Sequence, residues 1–211
     1  MPVFKSGEDR SPTWCELTYF DIVNLSPGQR HTFERLGKRE KLVVGQGQCH
    51  IVCNEQTTLT EKGVSLDLVS EDGQFEVTGA LSNTTLIRMC GCWGDQVGCS
   101  GLFAVNKHNH PSDGGDPVNY PKETNFDNHY HDCDEYWILF AGRGVVVSEG
   151  KHYEVGVGDC VATGMGHHHD FPQVFEPVEA VYFETTLERQ KCLGHLWNHT
   201  YGKAQPRPER V

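Results

Sequence analysis

Short runs of β-branched and aromatic residues recur along the chain, separated by glycine, asparagine, aspartate and serine. Runs such as EKLVVG and TTLIRM in the first half, and EYWILFAG and EAVYFETTL in the second, have the composition of strands. Only residues 187–197 have helical character. Strand signals with turns about every 8 to 12 residues predict an all-β sandwich or jelly roll.

The charge of the chain excludes several classes of partner. Its 211 residues include 18 basic and 29 acidic side chains, which gives a net charge of −11 at pH 7. Nucleic-acid binding depends on clustered lysine and arginine, so we expect no nucleic-acid partner. The same charge disfavours anionic membrane surfaces and highly anionic substrates. The longest apolar run, residues 136–141, is far shorter than the ~20 residues of a membrane helix, so we expect no membrane partner.

The cysteines bear on the cellular compartment. Nine is an odd number, and residues 1–12 lack the apolar core of a secretory signal. We therefore expect a cytoplasmic protein with reduced thiols. Cys90, Cys92 and Cys99 lie close together, but they lack the paired CxxC spacing of a zinc site and are interpreted as turn or buried thiols.

A stretch rich in proline and glycine divides the chain. Five such residues crowd positions 111–121, a density that no helix or long strand tolerates. We therefore predict a β unit over residues 1–105, a connection over 106–124 and a second β unit over 125–211. A weak internal repeat aligns Glu40-KLVVGQG with Glu135-YWILFAGRG, and segments downstream of both also align, which predicts a duplicated barrel or one barrel with a degenerate partner.

Eight of the twelve histidines fall between His108 and His169. His129 and His131 are two residues apart, so in a strand both side chains lie on one face and can close on one ion. Glu135 follows after a turn, and a carboxylate beside imidazoles suits Mn, Fe, Ni or Zn. Considered separately, the histidine pair is equally typical of an ordinary surface strand, and Glu135 with its acidic neighbours is equally typical of a solvated turn.

A glycine-rich hairpin over residues 158–166 leads into three consecutive histidines, His167, His168 and His169. The segment is either a polar loop or a further part of a metal site. Its spacing, Gly158-x5-Gly164-x-Gly166-x2-His169, is that of the second cupin motif, and His129-x-His131-x3-Glu135-x6-Gly142 has the spacing of the first. The chain thus resembles the cupin superfamily, most clearly over residues 123–175.

Three positions depart from the family pattern. Gly164 stands where proline is usual, Gln173 where asparagine is frequent, and Glu123 where the first motif normally begins with glycine. The resemblance nevertheless implies the cupin double-stranded β-helix, a jelly roll, and with the repeat it implies a bicupin. It also implies one divalent metal ion of undetermined identity, held by His129, His131, Glu135 and His169.

The N-terminal unit carries the same plan in degenerate form. His31-Thr-Phe33 stands where the histidine pair would be, Glu40 where the glutamate would be, and Gly73 to Glu76 where the last histidine would be. Phe33 cannot ligate a metal. We therefore expect this unit to be structural and to bind no second ion.

Four other histidines lie near the motifs. His167 and His168 are candidate catalytic acid–base residues, because imidazole titrates near neutral pH, and the alternative is that they are rim residues facing solvent. His108 and His110 precede the connection and either reach the barrel mouth or remain in the loop.

The predicted site serves several kinds of chemistry. The same ligand set supports Lewis-acid catalysis, water activation and dioxygen activation, and the fold does not decide among them. Aromatic residues are dense in the second unit and no arginine lies within the two motifs, so a neutral, hydroxyl-rich, sugar-like small molecule fits best. We expect an enzyme that isomerises or epimerises it.

Two alternatives remain. One is an iron-dependent dioxygenase or related oxidoreductase that acts on a small diol or diketone. The other is a non-enzymatic cupin that binds a ligand or senses a state through its metal. In either case an exposed sheet edge offers a pairing surface, which predicts a homodimer.

Overall fold

The computed structural model describes residues 3–8, 10–68, 73–95, 97–111, 114–185 and 193–211. The regular secondary structure of these ranges is almost entirely β-strand, which confirms the predicted all-β class. The strands are β1 (Val3–Lys5), β2 (Leu17–Leu25), β3 (Arg30–Glu34), β4 (Arg39–Gln46), β5 (Gln48–Cys53), β6 (Gln56–Glu61), β7 (Ser65–Leu68), β8 (Gln74–Gly79), β9 (Thr84–Gly91), β10 (Val97–Val105), β11 (Asp134–Ser148), β12 (Lys151–Gly156), β13 (Asp159–Thr163) and β14 (His169–Thr185), and they precede a one-turn helix, α1 (Asn198–Tyr201). In the same ranges no helix has the length and apolar character needed to cross a membrane.

Two four-stranded antiparallel sheets form the N-terminal unit, with strand orders β2-β9-β4-β7 and β3-β8-β5-β6. On β8, buried Phe75 and Val77 alternate with the more exposed Gln74 and Glu76. This two-residue period turns one face of each sheet inward. The two sheets therefore enclose a core to which Ile51 also contributes.

A six-stranded sheet forms the C-terminal unit, with order β1-β13-β11-β14-β10 and with β12 paired to β11. The long strands β11 and β14 pair antiparallel over most of their length, with register shifts between Leu139 and Val147. Such irregularities bend a sheet. The bent sheet closes over a core that includes Trp137, Val146 and Phe171, and this is the jelly roll that the motif spacing implied.

The strand pairing of one unit is repeated in the other. Glu40 lies on the central strand β4, between β7 and β9. Glu135 lies on β11, between β13 and β14. The two glutamates therefore occupy equivalent positions, as the aligned sequence segments predicted.

The sheets do not follow the unit boundaries drawn from the sequence. β1 and β10, which both lie within residues 1–105, pair with β13 and β14 of the C-terminal sheet. A third core cluster joins side chains of both units, among them Phe20 and Met89 from one and Tyr136 and Phe183 from the other. The two units thus share strands and a core, and the division at residues 105 and 124 stays a prediction.

The helix predicted over residues 187–197 is not found in the part of that segment that the structure describes. Residues 187–192 lie outside the described ranges. Residues 193–197 are not helical, and Leu196 forms an antiparallel bridge with Tyr130. Backbone pairing with the barrel overrides the local helical propensity, and a helical turn begins only at Asn198.

The cysteines in the described ranges form no disulfide with one another, and Cys192 lies outside those ranges. Burial raises the pKa of Cys90 to about 12 and raises the pKa of Cys160 well above its ordinary value. Buried thiols of this kind are inert core residues. Cys92 and Cys99 are exposed instead.

The C-terminal tail contacts the glycine hairpin directly. A Cβ atom on Gly164 would lie 2.3 Å from the Cβ atom of Arg210, so no larger residue fits while the tail is in place. Arg210 in turn donates hydrogen bonds to the Asp134 carboxylate (2.6 Å) and to the Trp14 carbonyl oxygen (2.9 Å). The glycine that replaces the family's usual proline therefore makes room for the tail.

A Gly164→Ala substitution is expected to lower the free energy of unfolding by about 1–3 kcal/mol, because the added methyl group displaces the tail from its packed position. Urea unfolding of the purified protein measures this change. The matched control is Gly94→Ala, since a Cβ atom on Gly94 would meet no atom within 4 Å. Equal stability of Gly164→Ala and the native chain would contradict the packing argument.

Candidate metal centre

Four buried side chains that the sequence assigned to one ion converge in the C-terminal barrel. A backbone bridge between His129 and His169 brings the first motif to the start of β14, and Glu135 stands next to them on β11. His131 completes the group, in which one ligand atom from each residue lies within 4.8 Å of every other. Each of the four residues is at most 4% exposed.

Backbone carbonyl groups fix the orientation of two imidazoles. The Nδ1 atom of His129 lies 2.9 Å from the Asp127 carbonyl oxygen, and that of His169 lies 3.0 Å from the His167 carbonyl oxygen. A carbonyl oxygen only accepts, so both Nδ1 atoms carry the hydrogen. The Nε2 lone pairs of His129 and His169 are then free to face the other members of the group, as in histidines that ligate metals.

The resulting contacts bring hydrogen-bond acceptors together. His169 Nε2 and Glu135 Oε2 are 2.9 Å apart, yet neither atom has a hydrogen-bond partner among the described residues. His129 Nε2 and His131 Nε2 are also 3.0 Å apart, and this contact is a hydrogen bond only when His131 carries its hydrogen on Nε2. Buried acceptors that face one another without a hydrogen between them are costly, and a shared cation removes that cost. The residues present therefore fit a divalent ion.

Burial sets the protonation of the group. It lowers the pKa of His129 and of His169 to about 3, and it lowers the pKa of His131 well below the ordinary value. The three imidazoles are thus neutral near pH 7, the form that binds metal. Burial also raises the pKa of the Glu135 carboxyl, since nearby imidazoles only partly offset the loss of solvation.

Glu184 places a second carboxylate beside the group. It lies directly opposite Glu135 in the β11–β14 pairing, and its Oε1 atom is 3.5 Å from His131 Nδ1. Its other oxygen accepts a hydrogen bond from the Cys99 backbone N–H at 2.9 Å. A carboxylate on the outer nitrogen of a ligating histidine orients the ring and increases its basicity.

A cavity of about 410 Å³ opens next to Glu135. Phe103, Phe126, Trp137 and Leu193 supply most of its apolar wall. Among the described residues its lining includes no lysine or arginine. Those that line it are Cys99, Phe103, Phe126, Glu135, Trp137, Tyr182, Glu184, Leu193, Gly194 and His195. A cavity with these walls suits a small ligand without negative charge.

The structure does not bring the two candidate catalytic histidines to this cavity. The Nε2 atom of His167 lies 2.9 Å from the Arg207 carbonyl oxygen, and that of His168 lies 2.9 Å from the Asp116 carboxylate. Arg207 lies in the C-terminal tail and Asp116 in the connection between the two units, and neither residue lines the cavity. Their acid–base role therefore has no support from position, although it stays a prediction.

His108, a candidate for the barrel mouth, is exposed, and its Nδ1 atom lies 3.2 Å from the Asn125 side-chain nitrogen. His110 is exposed as well. Neither residue lines the cavity beside Glu135. The loop interpretation of these two histidines thus fits their positions.

In the N-terminal unit, arginine side chains surround the glutamate equivalent to Glu135. Glu40 accepts from Arg35 Nε (3.1 Å) and from Arg88 Nε (2.8 Å), and all three side chains are at most 6% exposed. The Arg88 guanidinium also lies over the rings of Phe33 and Phe75. The buried charge of this glutamate is therefore balanced by the chain's own cations.

Other residues of the predicted N-terminal plan are dispersed. His31 is exposed, and its ring packs on Phe33. Glu76 forms an ion pair with Arg30. Three residues of the C-terminal unit were not predicted from the sequence: Asp127, Glu184 and His195. The alternation of side chains along β14 could have indicated Glu184, because it lies on the same face as Tyr182. Nothing in the sequence relates His195 to the two motifs.

Comparison with known proteins identifies one close relative. No protein-family model matches the chain. Over its 211 residues it is 44% identical to the uncharacterized protein y4oW of Sinorhizobium fredii, 97% of whose length is covered. Identity at this level over the full chain places the two proteins in one family.

Solved structures at low sequence identity share the fold. Vicilin from Corylus avellana (hazelnut) has a TM-score of 0.55 at 8% identity and covers 90% of this chain and 81% of its own. AerE from Microcystis aeruginosa has a TM-score of 0.52 at 9% identity, with 80% and 87% covered. An oxalate decarboxylase has a TM-score of 0.52 at 8% identity, with 83% and 70% covered. The two motifs, the repeated strand pairing and these neighbours show that the chain has the cupin β-barrel fold, and its 44% identity over the full chain shows that it belongs to the family of protein y4oW.

Proposed function

We propose that this cupin is a metal-dependent enzyme that isomerises or epimerises a small uncharged molecule with hydroxyl and carbonyl oxygens on neighbouring carbons. The proposal rests on one observation, the convergence of three neutral imidazoles with the Glu135 carboxylate, which itself lines a cavity. His129, His131, Glu135 and His169 would hold one divalent ion, which acts as a Lewis acid on a substrate oxygen when it is bound.

The cavity supports an uncharged substrate. Without a lysine or arginine in its described lining, it lacks the bidentate donors that phosphate or dicarboxylate groups require. Glu135 and Glu184 make it electronegative instead. The faces of Phe126 and Trp137 suit the carbon skeleton of a ring or chain, and they exclude water from it.

Proton transfer between neighbouring carbons needs an acid–base group within hydrogen-bond reach of the substrate. His167 and His168 do not line the cavity, and their side chains contact Arg207 and Asp116 instead. Glu184 and Tyr182 line it, and Glu184 stands opposite Glu135 on the neighbouring strand. These two oxygen groups therefore hold the positions from which a proton can be passed to a bound molecule.

Incubation with Mn²⁺ and a panel of free sugars, sugar acids and polyols in deuterated water without oxygen tests the proposal. We expect deuterium on a substrate carbon, or a new isomer, detected by NMR. The control is Glu135→Gln, which keeps the shape of the side chain and removes its charge; it is expected to show at least about 100-fold less exchange. Absence of exchange and of isomers across the panel would contradict the isomerase.

The apolar walls favour a second candidate. Phe103, Phe126, Trp137 and Leu193 leave few polar groups to meet a heavily hydroxylated molecule, and they suit a small aromatic diol or a diketone. The Fe²⁺-loaded protein would then consume oxygen with such a compound. Oxygen uptake on a catechol or diketone, together with no anaerobic exchange, would assign the chain to the dioxygenases. Binding without either reaction would assign it to the non-enzymatic cupins.

A further inference from the structure

The segment 193–197 closes one side of the cavity. Leu193, Gly194 and His195 all contribute to the cavity lining. Hydrogen bonds to the barrel hold this segment at both ends: the Leu193 N–H donates to the Asp132 carboxylate at 2.8 Å, and Leu196 exchanges two backbone hydrogen bonds with Tyr130. The side chain of His195 is therefore presented to the cavity from a fixed backbone.

Asp127 fixes the ring of His195. Its Oδ2 atom lies 3.2 Å from His195 Nδ1 and accepts a hydrogen bond from the Trp197 indole N–H at 2.9 Å. The backbone carbonyl of the same Asp127 orients the Nδ1 atom of His129. One residue thus sets the position of a candidate metal ligand and of His195 together, which fixes the two rings relative to each other.

The two rings are also stacked. The ring centroids of His129 and His195 are 3.8 Å apart, and the planes differ by only 6°. With Nδ1 directed at Asp127, the Nε2 atom of His195 is the nitrogen left for a ligand. The side chain of His195 is 45% exposed, so packing in the core does not by itself explain the position of the ring.

We propose that His195 binds substrate, and that its Nε2 atom accepts a hydrogen bond from a ligand hydroxyl group that is not bound to the ion. The site would then bind a molecule at two places: two neighbouring oxygens would lie at the ion, and a further hydroxyl group would lie at His195. This inference rests on the proposed function only in requiring an ion at the four residues. It defines the ligand class as small chelating molecules that carry an additional hydroxyl group.

A pair of probes isolates this contact. Acetohydroxamate offers two neighbouring oxygens to an ion, and 2-hydroxyacetohydroxamate adds one hydroxyl group. Their affinities for the Co²⁺-loaded protein are measured from the change in the cobalt absorption spectrum. In the native chain we expect the hydroxyl group to increase affinity about three- to tenfold, the range of one hydrogen bond between neutral partners.

His195→Phe is the decisive variant, because phenylalanine can keep the stacking on His129 but has no nitrogen. It is expected to bind Co²⁺ as the native chain does and to bind both probes with equal affinity. His199→Phe is the matched control, since His199 lies on the same tail, contacts Asp116 and does not line the cavity. This control is expected to keep the native affinity ratio.

Several outcomes would overturn the inference. These are an unchanged affinity ratio in His195→Phe, no gain from the hydroxyl group in the native chain, and failure of both probes to bind the loaded native protein. If the protein takes up Co²⁺ normally, any of these results contradicts only the proposed role of His195 and not the proposed function. Failure of the native chain to take up Co²⁺ contradicts the proposed function as well.

Discussion

Replacement of His131 by alanine is expected to lower the affinity of the chain for divalent ions by more than about 100-fold. Loss of a residue that merely orients a metal ligand already costs about 10- to 100-fold, and His131 is here proposed as a ligand itself. The remaining group would be two imidazoles and Glu135, whose acceptors still face one another. Competition with a chromophoric chelator measures the affinity of the native and variant proteins.

The barrel of this variant is expected to stay folded, because its core clusters contain none of the four residues. Far-UV circular dichroism checks that condition. The matched control is His50→Ala, an exposed histidine on β5 of the N-terminal unit, which should bind metal as the native chain does. A full complement of metal in His131→Ala, found by elemental analysis, would reject the assignment of the site.

Replacement of Glu40 by glutamine is expected to destabilise the chain by about 3–5 kcal/mol. The substitution keeps the shape of the side chain but removes the negative charge that the buried guanidinium groups of Arg35 and Arg88 contact, a loss that costs this much in buried ion pairs. Urea unfolding gives the difference. As a control, Glu176→Ala removes one of the two exposed carboxylates that pair with Arg143 and should cost less than about 1 kcal/mol.

The effect of Glu40→Gln should depend on pH. Burial alone would raise the pKa of Glu40, but hydrogen bonds from Arg88, from the Leu36 backbone and from Arg35 outweigh it, and the pKa lies below the ordinary value of 4.5. The stabilisation by this carboxylate is therefore present above pH 4.5 and is lost as the pH falls through the folded-state pKa. A difference between native and variant stability that stays constant into strong acid would be inconsistent with the charge-based explanation.

The fold and the main site residues could be predicted because their signals are local. Alternating apolar residues bounded by turn residues indicate strands whatever their partners are, and the spacing of His129, His131 and Glu135 depends only on one turn and the start of one strand. His169 comes from a distant part of the chain, and no geometric rule in the sequence brings it to the pair. Its assignment depended on the family resemblance.

The parts that could not be predicted depend on long-range packing. His195 reaches the cavity because Leu196 pairs with Tyr130, a contact between segments more than 60 residues apart. The same pairing overrides the helical propensity of the segment. The roles of Gly164 and Arg88 could not be predicted for the same reason. Each depends on contact with a residue distant in sequence, Arg210 for Gly164 and Glu40 for Arg88.

The pairing of β1 with β13 has a consequence for how the chain folds. Val3 lies opposite Val161, so this edge of the C-terminal sheet joins residues from nearly opposite ends of the sequence. In the described sheet β1 pairs with β13, so the position of residues 3–5 is set by a strand more than 150 residues further along the chain. Contacts of such large sequence separation cost much loop-closure entropy and slow the folding reaction. This edge of the C-terminal sheet is therefore expected to be completed after its more local hairpins, such as β11–β12.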